Sequence, residues 1–89
     1  MREPYLEVTF RRGRPMAAYY YLPRRPGQRS VRTRRVEPGM VIDFTRGGRA
    51  IGIELTAPSR LSVTALNRVL RELGFPPVSR EDLAPVLAA

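Results

Sequence analysis

The runs Met40-Val41-Ile42-Asp43-Phe44 and Ala50-Ile51-Gly52-Ile53-Glu54-Leu55, separated by Thr45-Arg46-Gly47-Gly48-Arg49, decide the fold of this chain. Gly-Gly between two strand-forming runs is a strong hairpin signal. Alternation puts Met40, Ile42 and Phe44 on one face, and Ile51, Ile53 and Leu55 likewise share a face. One side of the hairpin is therefore apolar and needs a cover. Upstream, Glu37-Pro38-Gly39 reads as a tight turn and Ser30 to Val36 as a third strand. Its arginines suit a sheet edge, where charge blunts unwanted pairing. Pro23 to Arg29 is the clearest loop. Met16 to Leu22 reads as a strand with Tyr19 and Tyr21 on one face and Tyr20 on the other. Arg11 to Pro15 is a turn, and Tyr5 to Phe10 alternates with Leu6, Val8 and Phe10 on one side.

Downstream of the hairpin the period changes. Ala57-Pro58 ends the sheet. Ser62 has the character of a helix N-cap, and Leu66, Val69, Leu70 and Leu73 follow at helical spacing. Gly74 stops this helix and Pro76-Pro77 prevents its continuation. Ser79 resembles a second N-cap, with Glu81 and Asp82 in its first turn; a helical turn to about Ala84 is expected before Pro85. The pattern predicts an α+β fold: an antiparallel β-meander of four or five strands over residues 5–55, followed by a C-terminal helix packed on the sheet near 62–73 and a short helical turn after 79. Strands first and helices last argue against a parallel sheet. The 89 residues make a single small domain, with residues 1–56 as the meander and 57–89 as the helical C-terminal segment.

Charge is placed unevenly. The chain has sixteen arginines, no lysine, and a net charge of +8. Residues 1–50 hold twelve of the arginines against Glu3, Glu7, Glu37 and Asp43, which accounts for the whole excess. Residues 51–89 carry four charges of each sign. There is no Cys, His or Trp. Thiol, imidazole and Ser-His chemistry, disulfides and the usual zinc or haem ligands are thereby excluded, and no enzyme and no cofactor are expected. Hydrophobic residues at 43% are too many for a disordered basic tail. No stretch approaches the roughly 20 apolar residues of a membrane span. Met1-Arg2-Glu3-Pro4-Tyr5 lacks the apolar core of a signal peptide, so a soluble cytoplasmic protein is the expectation.

Val36 to Phe44, then Gly48-Arg49-Ala50-Ile51-Gly52-Ile53-Glu54-Leu55, resembles the bacterial family known as domain of unknown function 2283. Members of that family read as valine and acid, glycine, an aliphatic run, aspartate, a glycine turn, then Gly-Ile-Glu and an aliphatic residue. The resemblance covers residues 31–58. It extends to the tail through Leu66-Asn67, Leu73-Gly74, Pro76-Pro77 and Asp82-Leu83-Ala84-Pro85. Before residue 23 the chain departs from the family, with Arg11 and Met16 standing where the family has aspartates. The resemblance implies a small, strand-rich cytoplasmic protein, and an antitoxin-like partner of a small toxin is one role it implies.

Four candidate sites follow. The first is the basic set Arg11, Arg12, Arg14, Arg24, Arg25, Arg29, Arg32, Arg34 and Arg35, whose guanidinium forks match phosphate geometry. Tyr19, Tyr20 and Tyr21 lie between its segments and offer rings for base stacking. The competing reading makes one tyrosine face core and the arginine loops merely solvated. The second is Asp43 with Glu54 on neighbouring strands. Without a third ligand they are not expected to hold a metal, and a cross-strand arginine such as Arg46 or Arg49 is the expected partner. The third, Gly47-Gly48, lacks the Lys and Ser/Thr of a phosphate-binding loop and reads as a turn. Ser59, Ser62 and Ser79 have no base beside them. The fourth is the apolar set Phe75, Val78, Leu83, Val86 and Leu87, which either packs back on the sheet or docks on another chain, a homodimer among the options. Two functions stay open: a non-enzymatic interaction protein, antitoxin-like or regulatory, with a protein partner or itself; and an arginine-rich module contacting nucleic-acid phosphates.

Overall fold

The computed structural model describes residues 3–36 and 39–87. Five antiparallel strands form one sheet: β1 Tyr5–Arg11, β2 Arg14–Tyr21, β3 Arg32–Val36, β4 Met40–Phe44 and β5 Ala50–Leu55. A single 3₁₀ turn, Pro58–Arg60, leads to α1, Val63–Leu73, and α2, Ala84–Leu87. The α+β architecture expected from the sequence is what forms.

The strand order is β1-β2-β5-β4-β3. β1 and β2 make one hairpin, and β3, β4 and β5 make a meander that enters from the opposite edge. Residues 22–31 are thus a crossover that carries the chain past two strand positions. It is tied at both ends, by Leu22 N–H donating to Ile51 O at 3.1 Å and Val31 N–H donating to Phe44 O at 2.9 Å. Between these ties Arg25-Pro26-Gly27-Gln28 closes a β-turn. Gln28 N–H donates to Arg25 O, and Gly27 adopts a φ of +86° at the position that requires it. The Gln28 side chain accepts from Arg25 N–H at 2.8 Å and stiffens the turn.

Register separates the two faces. Leu6, Tyr20, Ile53, Ile42 and Arg34 align across the sheet on the inner face. Tyr5, Tyr21, Gly52, Asp43 and Thr33 align on the outer face, beside the row Glu7, Tyr19, Glu54, Val41 and Arg35. The inner face builds the core: Ala18, Tyr20, Leu22, Met40, Ile42, Ile53 and Leu55 meet Leu66, Val69 and Leu70 of α1. A bulge in the β4–β5 pairing lets Phe44 face Ala50, while Ile51 is fully buried outside the main cluster.

Helix α1 begins and ends where expected. Ser62 Oγ accepts from Ala65 N–H at 2.9 Å, and Gly74 takes the left-handed conformation at the C-cap. Two expectations need correction. The third strand starts at Arg32, because residues 30 and 31 belong to the crossover. Helical structure after Ser79 does not end before Pro85. Ser79 and Asp82 bond each other reciprocally, Ser79 N–H to Asp82 Oδ2 and Asp82 N–H to Ser79 Oγ, and shape a turn at 80–83. α2 then contains Pro85 in its first turn, where a missing N–H costs nothing. The 3₁₀ turn at 58–60 had no expectation attached. Of the Glu37-Pro38-Gly39 turn, Glu37 and Pro38 lie outside the described residues; Gly39 has a φ of +63°.

The tail's apolar residues pack back within the chain. Val78, Leu83 and Val86 are core residues, and Phe75 and Leu87 pack against that core. Asn67 of α1 clamps the returning segment: its Nδ2 donates to Val78 O at 3.0 Å, and its Oδ1 accepts from Val78 N–H at 2.8 Å.

Candidate nucleic-acid interface

Strand direction sorts the arginines. β2 runs from the β1–β2 turn to the crossover, so Arg11, Arg12 and Arg14 lie at one end of the sheet. Arg24, Arg25 and Arg29 lie at the other end. Eight residues of β2 span roughly 23 Å at the usual strand rise. The nine-residue set is therefore not one patch.

At the crossover end a different grouping forms. The β4–β5 turn closes with Thr45 N–H donating to Arg49 O and Gly48 N–H donating to Thr45 O, both at 2.9 Å. Gly48 sits at φ +87°, the left-handed position of a three-residue hairpin loop. This turn and the crossover face each other across an open depression of about 640 Å³. Gln28, Arg29, Val31, Thr45, Arg46, Gly47 and Arg49 line it. Arg46 and Arg49, read from the sequence only as partners for carboxylates, thus join Arg29. Their signal was the shared sheet end of turn and crossover, which needs the strand order to be seen.

The β3 arginines divide by face. Arg32 and Arg34 lie over the Phe44 ring, at 5.7 and 5.5 Å from its centroid, and roof the edge of the core. Arg35, opposite Val41, belongs to the outer face.

The tyrosines divide as their alternation requires. Tyr20 is buried in the core. Tyr19 crosses β5 on the outer face and donates its hydroxyl to Asp43 Oδ2 at 2.5 Å. Ser30 Oγ donates to Asp43 Oδ1 at 3.0 Å. Two hydroxyls not assigned to Asp43 from the sequence therefore hold it. The path of Tyr19 depends on Gly52, since a Cβ there would overlap the Tyr19 ring and hydroxyl. Burial, the hydrogen bond to Asp43 and that residue's charge together hold the Tyr19 phenol well above its usual range. Glu54 is exposed in the neighbouring row, so the two carboxylates sit diagonally rather than face to face. Among the described residues no group of three or more His, Cys, Asp or Glu gathers around a metal-sized space.

Tyr21 stacks on Tyr5, with ring centroids 4.4 Å apart and planes 14° from parallel. Arg24 lies over Tyr21 at 5.3 Å from its centroid. Tyr21's hydroxyl points at Glu7 Oε1, 3.4 Å away. Tyr5 was outside the three-tyrosine run that the sequence singles out, and only the cross-strand register brings it in. Among the described residues no helix is long and apolar enough to cross a membrane.

No family model, curated protein or solved structure matches the chain, so function is argued from this geometry.

Proposed function

We propose that this protein is a non-enzymatic binding module that holds nucleic acid through its arginine-bearing sheet end, in the cytoplasm. The observation that carries the reading is the convergence of Arg29, Arg46 and Arg49 on one open depression, with Arg25 on the adjoining turn. Guanidinium groups on short, hydrogen-bonded turns are preorganised for phosphate oxygens, and such contacts bind without reading sequence. The net charge of +8 adds long-range attraction for a polyanion. Titrating a labelled oligonucleotide across a salt series tests the reading. Affinity should fall linearly with log salt, with a slope of about −0.7 per phosphate contact for a single strand. No binding at low salt, or binding insensitive to salt, contradicts it.

A second reading, an antitoxin-like or regulatory protein with a protein partner, is favoured by a different surface. At the β1–β2 end Phe10 and Met16 are 52% and 50% exposed beside Arg11, Arg12 and Arg14. Exposed apolar side chains near positive charge suit an acidic, apolar partner segment. A pull-down with and without nuclease separates the readings. Partners lost after nuclease support nucleic acid, and a protein that stays bound supports the second reading. The resemblance of residues 31–58 to the domain of unknown function 2283 family supports this second reading.

A further inference from the structure

We propose that the nucleic acid is single-stranded and stacks a base on the Tyr5–Tyr21 pair, a step that rests on the nucleic-acid reading above. Of the four tyrosines, two have structural tasks: Tyr20 fills the core, and Tyr19 is fixed over Gly52 by its bond to Asp43. The other two form a near-parallel pair on the outer face, which α1 leaves open because it packs on the inner one. Tyr5 starts the edge strand β1 and is 42% exposed, so this ring is accessible at the sheet margin. Tyr21 ends β2, and Arg24 three residues on lies against its ring. The pair therefore sits where the crossover departs toward Arg25 and Arg29.

Chemistry selects the ligand. Every base has a π face, so exposed tyrosines accept bases without regard to sequence, and Arg24 adds a cation at the same place. A duplex offers its bases already stacked and paired, so only a single strand can use the rings. The acids on this face set the path of the strand. Glu7 and Glu54 flank Tyr19 in register, and Asp43 lies in the adjacent row. These acids repel phosphates from the row of Tyr19, from the β1 edge inward, so the backbone keeps to the crossover end beside Arg24 while a base lies on Tyr5.

The test uses the full chain, labelled oligothymidylate and a duplex of equal length at low salt. Because the chain has no Trp, its emission comes from its four tyrosines, and the part of the change that Tyr5→Leu removes reports the site. Tyr emission should quench on binding the single strand. Tyr5→Leu should weaken single-strand binding by about fivefold to a hundredfold and leave duplex binding unchanged. Tyr5 is the variant of choice, since Tyr21 is more enclosed; Tyr21→Leu is the confirming one where it folds. Single-strand affinity unchanged in Tyr5→Leu, or equal affinity for both ligands in the parent, overturns the stacking proposal. If binding then still weakens in Arg25→Ala, Arg29→Ala and Arg46→Ala combined, the nucleic-acid reading survives. Loss of all binding in the parent ends both.

Discussion

Gly52 is the residue on which the outer face turns. It stands between Tyr21 and Asp43 in register, and its missing side chain opens the path by which Tyr19 reaches β4. Gly52→Ala should cost about 1–3 kcal/mol in urea unfolding, because the added methyl meets an enclosed ring. In a Tyr19→Ala background the same substitution should cost little, since a glycine inside a strand is itself unfavourable. Equal costs in both backgrounds, within about 0.5 kcal/mol, would contradict the packing described. The Tyr19 phenol supplies a second prediction. Its folded pKa lies above the unfolded value of 10.0, so the folded state keeps a proton that the unfolded state loses. The associated stability is fully present below pH 10 and declines as pH rises beyond it. Tyr20 and Tyr21 are shifted upward too, by burial first, and share in this decline. Unfolding free energy measured above pH 10 should fall less steeply in Tyr19→Phe than in the parent. Parallel slopes would refute a special role for Tyr19.

At the scale of elements, Asn67 adds a polar clamp to the leucines that hold the C-terminal half. Two hydrogen bonds to the backbone of Val78 dock a segment that has no strand or helix partner of its own there. Asn67→Ala should cost about 1–3 kcal/mol, since partly buried backbone groups lose their partners. It should speed amide exchange in residues 75–87 more than in the sheet; an even acceleration throughout would contradict the clamp. α1 and the β4–β5 hairpin were legible because their signals are local: Ser62, Gly74 and a run at helical spacing, and Gly47-Gly48 between alternating runs. The tail was half legible. Pro85 looked like a stop, yet a proline is accommodated in a first helical turn, and the Ser79–Asp82 pair had already turned the chain. What the sequence could not convey was pairing at a distance. Nothing local says that β2 pairs with β5 rather than β3, or that Tyr5 falls opposite Tyr21.

For the whole molecule, strand order converts a compositional excess into a spatial one. The sequence located all of the +8 in its first half, but that half forms both ends of the sheet. The crossover brings Arg24, Arg25 and Arg29 to the end where the β4–β5 turn presents Arg46 and Arg49. Arg11, Arg12 and Arg14 are left at the far end, beside Met16. The most direct test compares two variants that lose the same three charges. One carries Arg25→Ala, Arg29→Ala and Arg46→Ala; the other carries Arg11→Ala, Arg12→Ala and Arg14→Ala. Oligothymidylate affinity is measured for both across a salt series. The crossover-end variant should bind at least about tenfold more weakly than its counterpart, and its log-log salt slope should shrink by about 2. Equal losses in the two variants would mean that net charge alone attracts the ligand, and would contradict a binding site at the crossover end.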